Sequence, residues 1–258
     1  MKWARKILWP DGGVTMSDDF DAIVGDIDDE LDLTLYADAA ELADEVTVQI
    51  LAAIEKGLKL KSQFHLVLTG GTLGVHISEA LVNEFNADPD GFAGLHIWWS
   101  DERFVQGDSV ERNAFPFHKT VTNTAVVIHE VLASDVAKSI DDAVSDYALA
   151  LENVDIDLNI LGLGPDGHVA SLFPGIADVD DLRTIFAITD SPKPPAARVS
   201  FTMSMINSAD EVWIVAAGES KAEAVTKIIE GDLAIPASYV RGNSHTRLIV
   251  DTEAFFSE

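Results

Sequence analysis

DLNILGLGPDGHVASLFPG, residues 157–175, is the stretch from which the rest of the chain can be read. Leu158, Ile160, Leu161 and Leu163 form an apolar run with the length of a buried strand. The run breaks into Gly162-x-Gly164-Pro165-Asp166-Gly167-His168, and a short apolar segment after it stops at Pro174-Gly175. Three glycines around a Pro-Asp pair let the backbone pass close to a neighbour and turn its N–H groups outward. At the carboxyl end of a strand in an α/β sheet, such a loop lies where ligands bind. His168 follows, and imidazole is the side chain best suited to exchanging a proton near neutral pH. Gly162, Gly164 and Gly167 also spell the G-x-G-x-x-G of dinucleotide sites, but that motif opens a full crossover helix. Only six residues separate Gly167 from Pro174, against the ~10–12 that a crossover needs. The plain alternative is an Asp-Gly turn followed by a loop histidine.

At 258 residues the chain is long enough for one large α/β domain or two small ones. Its 44 acidic against 17 basic residues give a formal charge of −27. Such a polyanion repels nucleic acid and anionic membrane, so neither is expected as a partner. Cys is absent, which removes disulfide and thiolate chemistry. No apolar run reaches the ~18 residues of a membrane span, and the first ten residues are too broken for a signal peptide. A cytoplasmic protein, monomeric or a small homo-oligomer, is the expectation. Residues 18–45 hold twelve carboxylates and no Lys or Arg. Residues 1–30 read as an acidic extension and 31–258 as the folded unit. The Asp-rich part lacks the regular ligand spacing of a calcium loop, so no metal site is expected there.

From residue 31 onward, strands and helices alternate. Leu31, Leu33 and Leu35 alternate with polar residues, and Leu42, Val46, Ile50, Ile54 and Leu58 recur every four positions as an amphipathic helix. Phe64 to Leu68 predicts a strand running into Thr69-Gly70-Gly71-Thr72-Leu73-Gly74, with helix from about Val75 to Phe85. A strand, a Gly-rich turn and a helix start make an anion cradle or simply a turn. Without the Lys of a P-loop, a monophosphate suits it better than a triphosphate. Further strands are predicted at Leu95–Trp99, Ala125–Ile128, Arg183–Thr189, Val212–Ala216 and Arg247–Val250. A helix is expected over Asp135–Leu151, capped by Ser134 or Asp135, and another from Gly218 to about Glu230. With no composition break, the pattern predicts one doubly wound α/β domain with a mostly parallel sheet flanked by helices.

Arg103, Arg112, Lys193, Arg198 and Lys221 all fall in loops or helix starts that follow strands. Singly, each suits a surface ion pair. Together they suggest a positive pocket for a small phosphorylated or carboxylated ligand on an otherwise negative protein.

These residues resemble the 6-phosphogluconolactonase family. GLGPDGHVASLFPG closely matches its signature, and SDERFVQGDSVERNAF is similar to its Asp-Glu-Arg loop with a trailing Ser-Asn, Arg112 standing where that Ser would be. TGGTLG resembles its Gly-Gly-Ser-Thr-Pro phosphate loop, with Leu73-Gly74 departing from it; SPKPPAARVSFT and AAGESKAEAV match further blocks. The resemblance runs from about Leu31 to Ala254. The related glucosamine-6-phosphate deaminases continue their His loop with Ile-Ala-Phe-Asn-Glu-Pro and carry Asp-Glu-Tyr. Val169–Pro174 and Asp101-Glu102-Arg103 differ from both and favour the lactonase. The resemblance implies a Rossmann-like, deaminase-like fold and hydrolysis of 6-phospho-D-glucono-1,5-lactone without metal or organic cofactor. It implies His168 as general base, with Asp166 also among the catalytic residues. Loop N–H groups around Gly164 to Gly167 would hold the oxyanion, and Arg103 would orient the lactone or stabilise developing charge. Gly70, Gly71 and Thr72, with Arg198, Lys221 and Lys193, would take the 6-phosphate, and Asp101 would line the substrate site. An amino-sugar-phosphate deaminase or a non-catalytic sugar-phosphate-binding module remain the alternatives.

Overall fold

The structure is a computed structural model that describes residues 31–88, 90–118 and 120–256. The acidic extension expected over residues 1–30 lies outside them. Ten strands are described: β1 (Leu31–Tyr36), β2 (Phe64–Leu68), β3 (Leu95–Trp99), β4 (Asp101–Arg103), β5 (Val127–Ile128), β6 (Leu158–Gly162), β7 (Ile185–Ile188), β8 (Arg198–Phe201), β9 (Glu211–Ala216) and β10 (His245–Asp251). The helices are α1 (Ala39–Leu60), α2 (Gly71–Ala87), α3 (Ile140–Ala150), α4 (Met203–Ile206), α5 (Ala222–Glu230) and α6 (Thr252–Phe255). None is long and apolar enough to cross a membrane.

Seven strands form one parallel sheet in the order β1-β10-β9-β6-β2-β3-β5. Chain direction across the sheet reverses between β2 and β6. That is the switch point where a crevice opens beyond the strand ends. Gly162 N–H donates to Thr69 Oγ1 there, tying the end of β6 to the end of β2. The two glycine loops singled out in the sequence thus leave the sheet side by side.

The central strands are apolar on both faces because both are covered. In β2 every residue is buried. Leu66 and Leu68 pack towards α1 and α2, while Val67 packs with Trp98 and Tyr147 on the α3 side. Helix α1 buries Leu42, Val46, Ile50 and Ile54, each contributing about 1.5–3 kcal/mol by burial. Asp38 caps it by accepting from the N–H groups of Ala40 and Glu41. Helix α2 has no such cap: Gly70 offers no side chain, and its first turn carries no acid. Its leading N–H groups and the positive end of its dipole face the crevice. It begins at Gly71, four residues earlier than the sequence pattern suggested, because the TGGT turn is itself the first turn of the helix.

Two expectations change. Helix α3 starts at Ile140 under a Ser139 cap rather than at Asp135. The Asp135 carboxylate instead accepts from Gly107 N–H, tying down the loop after β4. The second change is a separate antiparallel sheet, β4-β8-β7, pairing Asp101 with Ser200 and Arg103 with Arg198. It sets the charged DER segment and Arg198 beside the crevice.

At the opposite ends of β2 and β3, three histidines cluster with Trp98: His129 stacks on the indole, and His96 stacks on both His65 and His129. His65 and His96 lie 4.6 Å apart, and His129 lies 3.7 Å above the indole. Trp98 Nε1–H donates to His65 Nδ1, and His96 Nδ1 and His129 Nε2 share a hydrogen bond of 2.9 Å. Burial, then repulsion from His96, lowers both His65 and His129 to about 4. The unfolded chain therefore takes up protons first. This part of the stability is complete above about pH 6.5 and is lost as pH falls towards 4. Urea unfolding of wild type and His129→Gln at pH 7.5 and pH 5 measures it. The variant should lose roughly 1 kcal/mol less than wild type on acidification, a figure discounted for partial exposure. Equal losses would show that the cluster is not acid-sensitive.

Candidate active site

After β6 the chain folds back on itself. Leu163 bridges Val169, Gly164 N–H donates to the His168 carbonyl at 2.8 Å, and Gly167 N–H donates to the Gly164 carbonyl at 2.9 Å. The turn needs Gly167, whose φ is +80° and whose Cβ would lie 2.6 Å from Ile235. It also needs Gly164, because a Cβ there would lie 1.9 Å from His168 Nδ1. The expected role of the N–H groups of Gly164 and Gly167 as oxyanion donors is corrected by these bonds. Both are consumed within the loop, and Gly167 does not line the cavity.

The imidazole of His168 rests on the buried Phe173 ring, 4.7 Å between centroids. Its Nδ1 lies 2.5 Å from Asp166 Oδ1. With the carboxylate accepting, Nδ1 carries the proton and Nε2 keeps its lone pair. Lys193 Nζ lies 3.1 Å from the same Asp166 oxygen and 3.1 Å from Nδ1 itself; an ammonium only donates, so with Nδ1 protonated its hydrogen bond goes to the carboxylate. Burial lowers the His168 pKa below its ordinary 6.5; the Asp166 hydrogen bond and charge pull it up, and Lys193 pushes it down again. Burial raises Asp166, but His168 and Lys193 outweigh it and hold the carboxyl at about 2. The pair is therefore a neutral base beside a carboxylate at pH 7.

A cavity of about 180 Å³ joins the elements, lined by Gly70, Gly71, Asp101, Arg103, Asn113, Gly164, His168, Lys193, Arg198 and Lys221 among others. It adjoins a wider groove of about 720 Å³ that shares Gly70, Gly71 and Lys221 and adds Thr72 and His76. Thr72 lines only that groove, and Asp166 acts from behind His168. The Lys221 ammonium makes no hydrogen bond or ion pair with the described residues. Burial, then the nearby charge of Lys193, lowers its pKa. Two ammonium groups that repel each other in a half-buried cavity favour an anion between them.

The arginines divide. Arg103 Nη1 donates to the Glu111 carbonyl, while its Nε is buried without a partner. Arg198 is buried: Nε and Nη2 donate to the carbonyls of Pro195, Lys193 and Pro194, and Nη1 reaches Ser171 Oγ at 3.4 Å and Asp101 at 3.6 Å. It contributes charge and fixes the Pro-rich connector, with little N–H capacity left for a ligand. Arg112 is absent from the cavity. It lies buried between Glu102 and Glu130 and donates to the Val131 carbonyl. Its place in a positive pocket is corrected accordingly. Sequence reasoning also missed Asn113, Ser171 and Phe173. Ser171 Oγ donates to Asp101 Oδ2 at 2.6 Å, and Asn113 Nδ2 donates to Asp101 Oδ1 at 2.9 Å. They were not singled out as site residues, although Asn113 lies in the matched DER loop and Ser171 and Phe173 in the signature stretch.

A proton-accepting histidine and an anion cradle, at the switch point of a parallel sheet, define an α/β enzyme acting on a small anionic substrate. The chain belongs to the family described as glucosamine-6-phosphate isomerases/6-phosphogluconolactonase, whose model matches residues 37–250. It is 31% identical over 243 residues to a 6-phosphogluconolactonase of Streptomyces coelicolor, covering 86% of this chain and 92% of that protein. It is 36% identical over 214 residues to that of Rattus norvegicus, covering 78% and 82%. The crystal structure of the Thermotoga maritima 6-phosphogluconolactonase superposes with a TM-score of 0.71 at 26% identity, covering 86% of this chain and all of that one.

Gly164→Ala should drive the imidazole off Asp166. Turnover of the substrate proposed below should fall by about 10²-fold or more, with near-native circular dichroism. Turnover within threefold of wild type would show that the ring does not need its seat on Gly164.

Proposed function

We propose that the protein hydrolyses 6-phospho-D-glucono-1,5-lactone to 6-phospho-D-gluconate. The observation that carries this reading is His168, with Nδ1 on Asp166 and Nε2 available, in one cavity with Gly70, Gly71 and Lys221. His168 Nε2 takes a proton from water as the water oxygen bonds to C1 of the lactone. Asp166 keeps the tautomer and stabilises the imidazolium that forms. Negative charge gathers on the former carbonyl oxygen, and the guanidinium of Arg103, which lines the cavity, supplies the compensating positive charge. Collapse breaks the bond from C1 to the ring oxygen, and His168 returns its proton to that oxygen as the C5 hydroxyl forms. The 6-phosphate lies against the free N–H groups of Gly71 and Thr72 and against Lys221, with Lys193 and the buried charge of Arg198 nearby. Asp101, held by Ser171 and Asn113, faces the sugar hydroxyls. Arg103 and Ser171 stand where deaminases carry other residues, which favours a lactonase over release of ammonia from an amino-sugar phosphate.

Hydrolysis of freshly generated lactone, with spontaneous opening subtracted, tests the reading; ammonia release from glucosamine 6-phosphate, or binding without turnover, would overturn it. His168→Ala should lower kcat by about 10²–10⁴-fold while 6-phosphogluconate still binds. Activity within threefold of wild type would remove His168 from the mechanism. The base must be neutral, so kcat/KM falls as pH drops through a His168 pKa below 6.5. Asp166 raises that pKa, so Asp166→Asn should move this acid limb to lower pH and reduce the plateau rate. A limb moving to higher pH would contradict the pairing.

A further inference from the structure

Asn113 physically joins the two ends of the cavity. On one side, its Nδ2 donates to both the carbonyl and Oδ1 of Asp101, on the strand that also carries Arg103. On the other, its side chain fills the space beside Gly70: a Cβ on Gly70 would lie 1.8 Å from Asn113 Oδ1. The amide is thus a spacer between the phosphate cradle and the strand that meets the sugar. What holds the spacer is Glu102, a carboxylate only 1% exposed. Its Oε1 accepts from the backbone N–H groups of Arg103 at 2.8 Å and Asn113 at 2.7 Å, and its Oε2 accepts from Ala114 N–H at 3.0 Å. Arg112 Nη2, at 3.7 Å, supplies the counter-charge from the dry side. Burial raises the Glu102 pKa to about 7, while Arg112 and the three N–H donors pull it back down; hydrogen bonds to its ionised form are shorter and stronger than those to the neutral acid. Burying a carboxylate is costly unless bonds of this kind compensate it. Glu102 points away from the cavity and touches no position a substrate could occupy.

We infer that Glu102 is a positioning residue that, through Asn113, sets the distance between the phosphate cradle at Gly70 and the sugar-facing side chains Asp101 and Arg103. Selectivity for a phosphorylated six-carbon ligand then depends on this spacing. A ligand that bridges both ends gains from it, and one that occupies the cradle alone does not. The inference rests on the sugar-phosphate reading of the cavity but is read out by binding, independently of turnover.

The test is calorimetric titration of wild type, Glu102→Gln and Asn113→Ala with 6-phosphogluconate and with inorganic phosphate, the short ligand. Gln keeps the shape of Glu102 but turns one acceptor into a donor facing backbone N–H groups. Asn113→Ala removes the spacer without touching the buried charge, so it serves if Glu102→Gln fails to fold. In each folded variant the Kd for 6-phosphogluconate should rise at least fivefold relative to the Kd for inorganic phosphate. KM for the phosphorylated lactone should rise by more than kcat falls. A generally loosened protein would weaken both ligands together. A ratio of the two dissociation constants within fivefold of wild type, or a wild type that binds 6-phosphogluconate no better than phosphate, overturns the inference. Turnover by wild type reports separately on the lactonase reading.

Discussion

The hydrogen bond between His168 Nδ1 and Asp166 is the contact on which the site depends. A buried imidazole with no partner would be a passive, low-pKa base in an arbitrary tautomer. With Asp166 accepting at Nδ1 and Phe173 beneath the ring, one nitrogen is committed and the other is left for chemistry. Burial and Lys193 lower the His168 pKa while Asp166 holds it up, and the net lowering leaves the base neutral at pH 7. All of this rests on Gly164, because any Cβ at that position would occupy the place of the ring.

The two sheets divide the labour. The parallel sheet brings two glycine loops together at its switch point and supplies an uncapped helix start, a place for an anion on a chain of charge −27. The small antiparallel sheet sets Asp101, Arg103 and Arg198 against that crevice. Its charges are expensive to bury, and they come in compensated sets: Arg198 with Asp101 and three carbonyls, Glu102 with Arg112 and three N–H groups. Such sets add little net stability compared with apolar packing. They fix direction, which a site must do before substrate arrives. The Lys221 ammonium, without a hydrogen-bond or ion-pair partner among the described residues, is left to respond to a ligand.

The central strands of the parallel sheet were legible because covered strands are written as mostly apolar runs, FHLVL and LNIL among them, while β1 showed as an alternation. The pairing of β2 with β6 was not legible, yet the chemistry bunched at their ends pointed to it. Strand β4 escaped notice: DER carries no strand pattern, and its partner lies almost a hundred positions further on. Helix α3 began late because Asp135 found a better use holding Gly107 than capping a helix, a choice made by tertiary contact. Charge could be counted along the chain but not its direction. Arg103 and Lys221 face the cavity, whereas Arg112 is turned into the core and Arg198 spends most of its donors on the connector. Likewise, Gly164 and Gly167 suggested open N–H groups but spend them within the loop and are there for close packing.

The protonation state of His168 in the resting protein is the most direct measurement. Nitrogen-15 spectra of the ring, followed from pH 8 to pH 5, should show a neutral imidazole at pH 7 with its proton on Nδ1. The midpoint should lie below 6.5, and Asp166→Asn should move it lower still. A proton on Nε2, or a midpoint above 7, would mean that this histidine is not the base described.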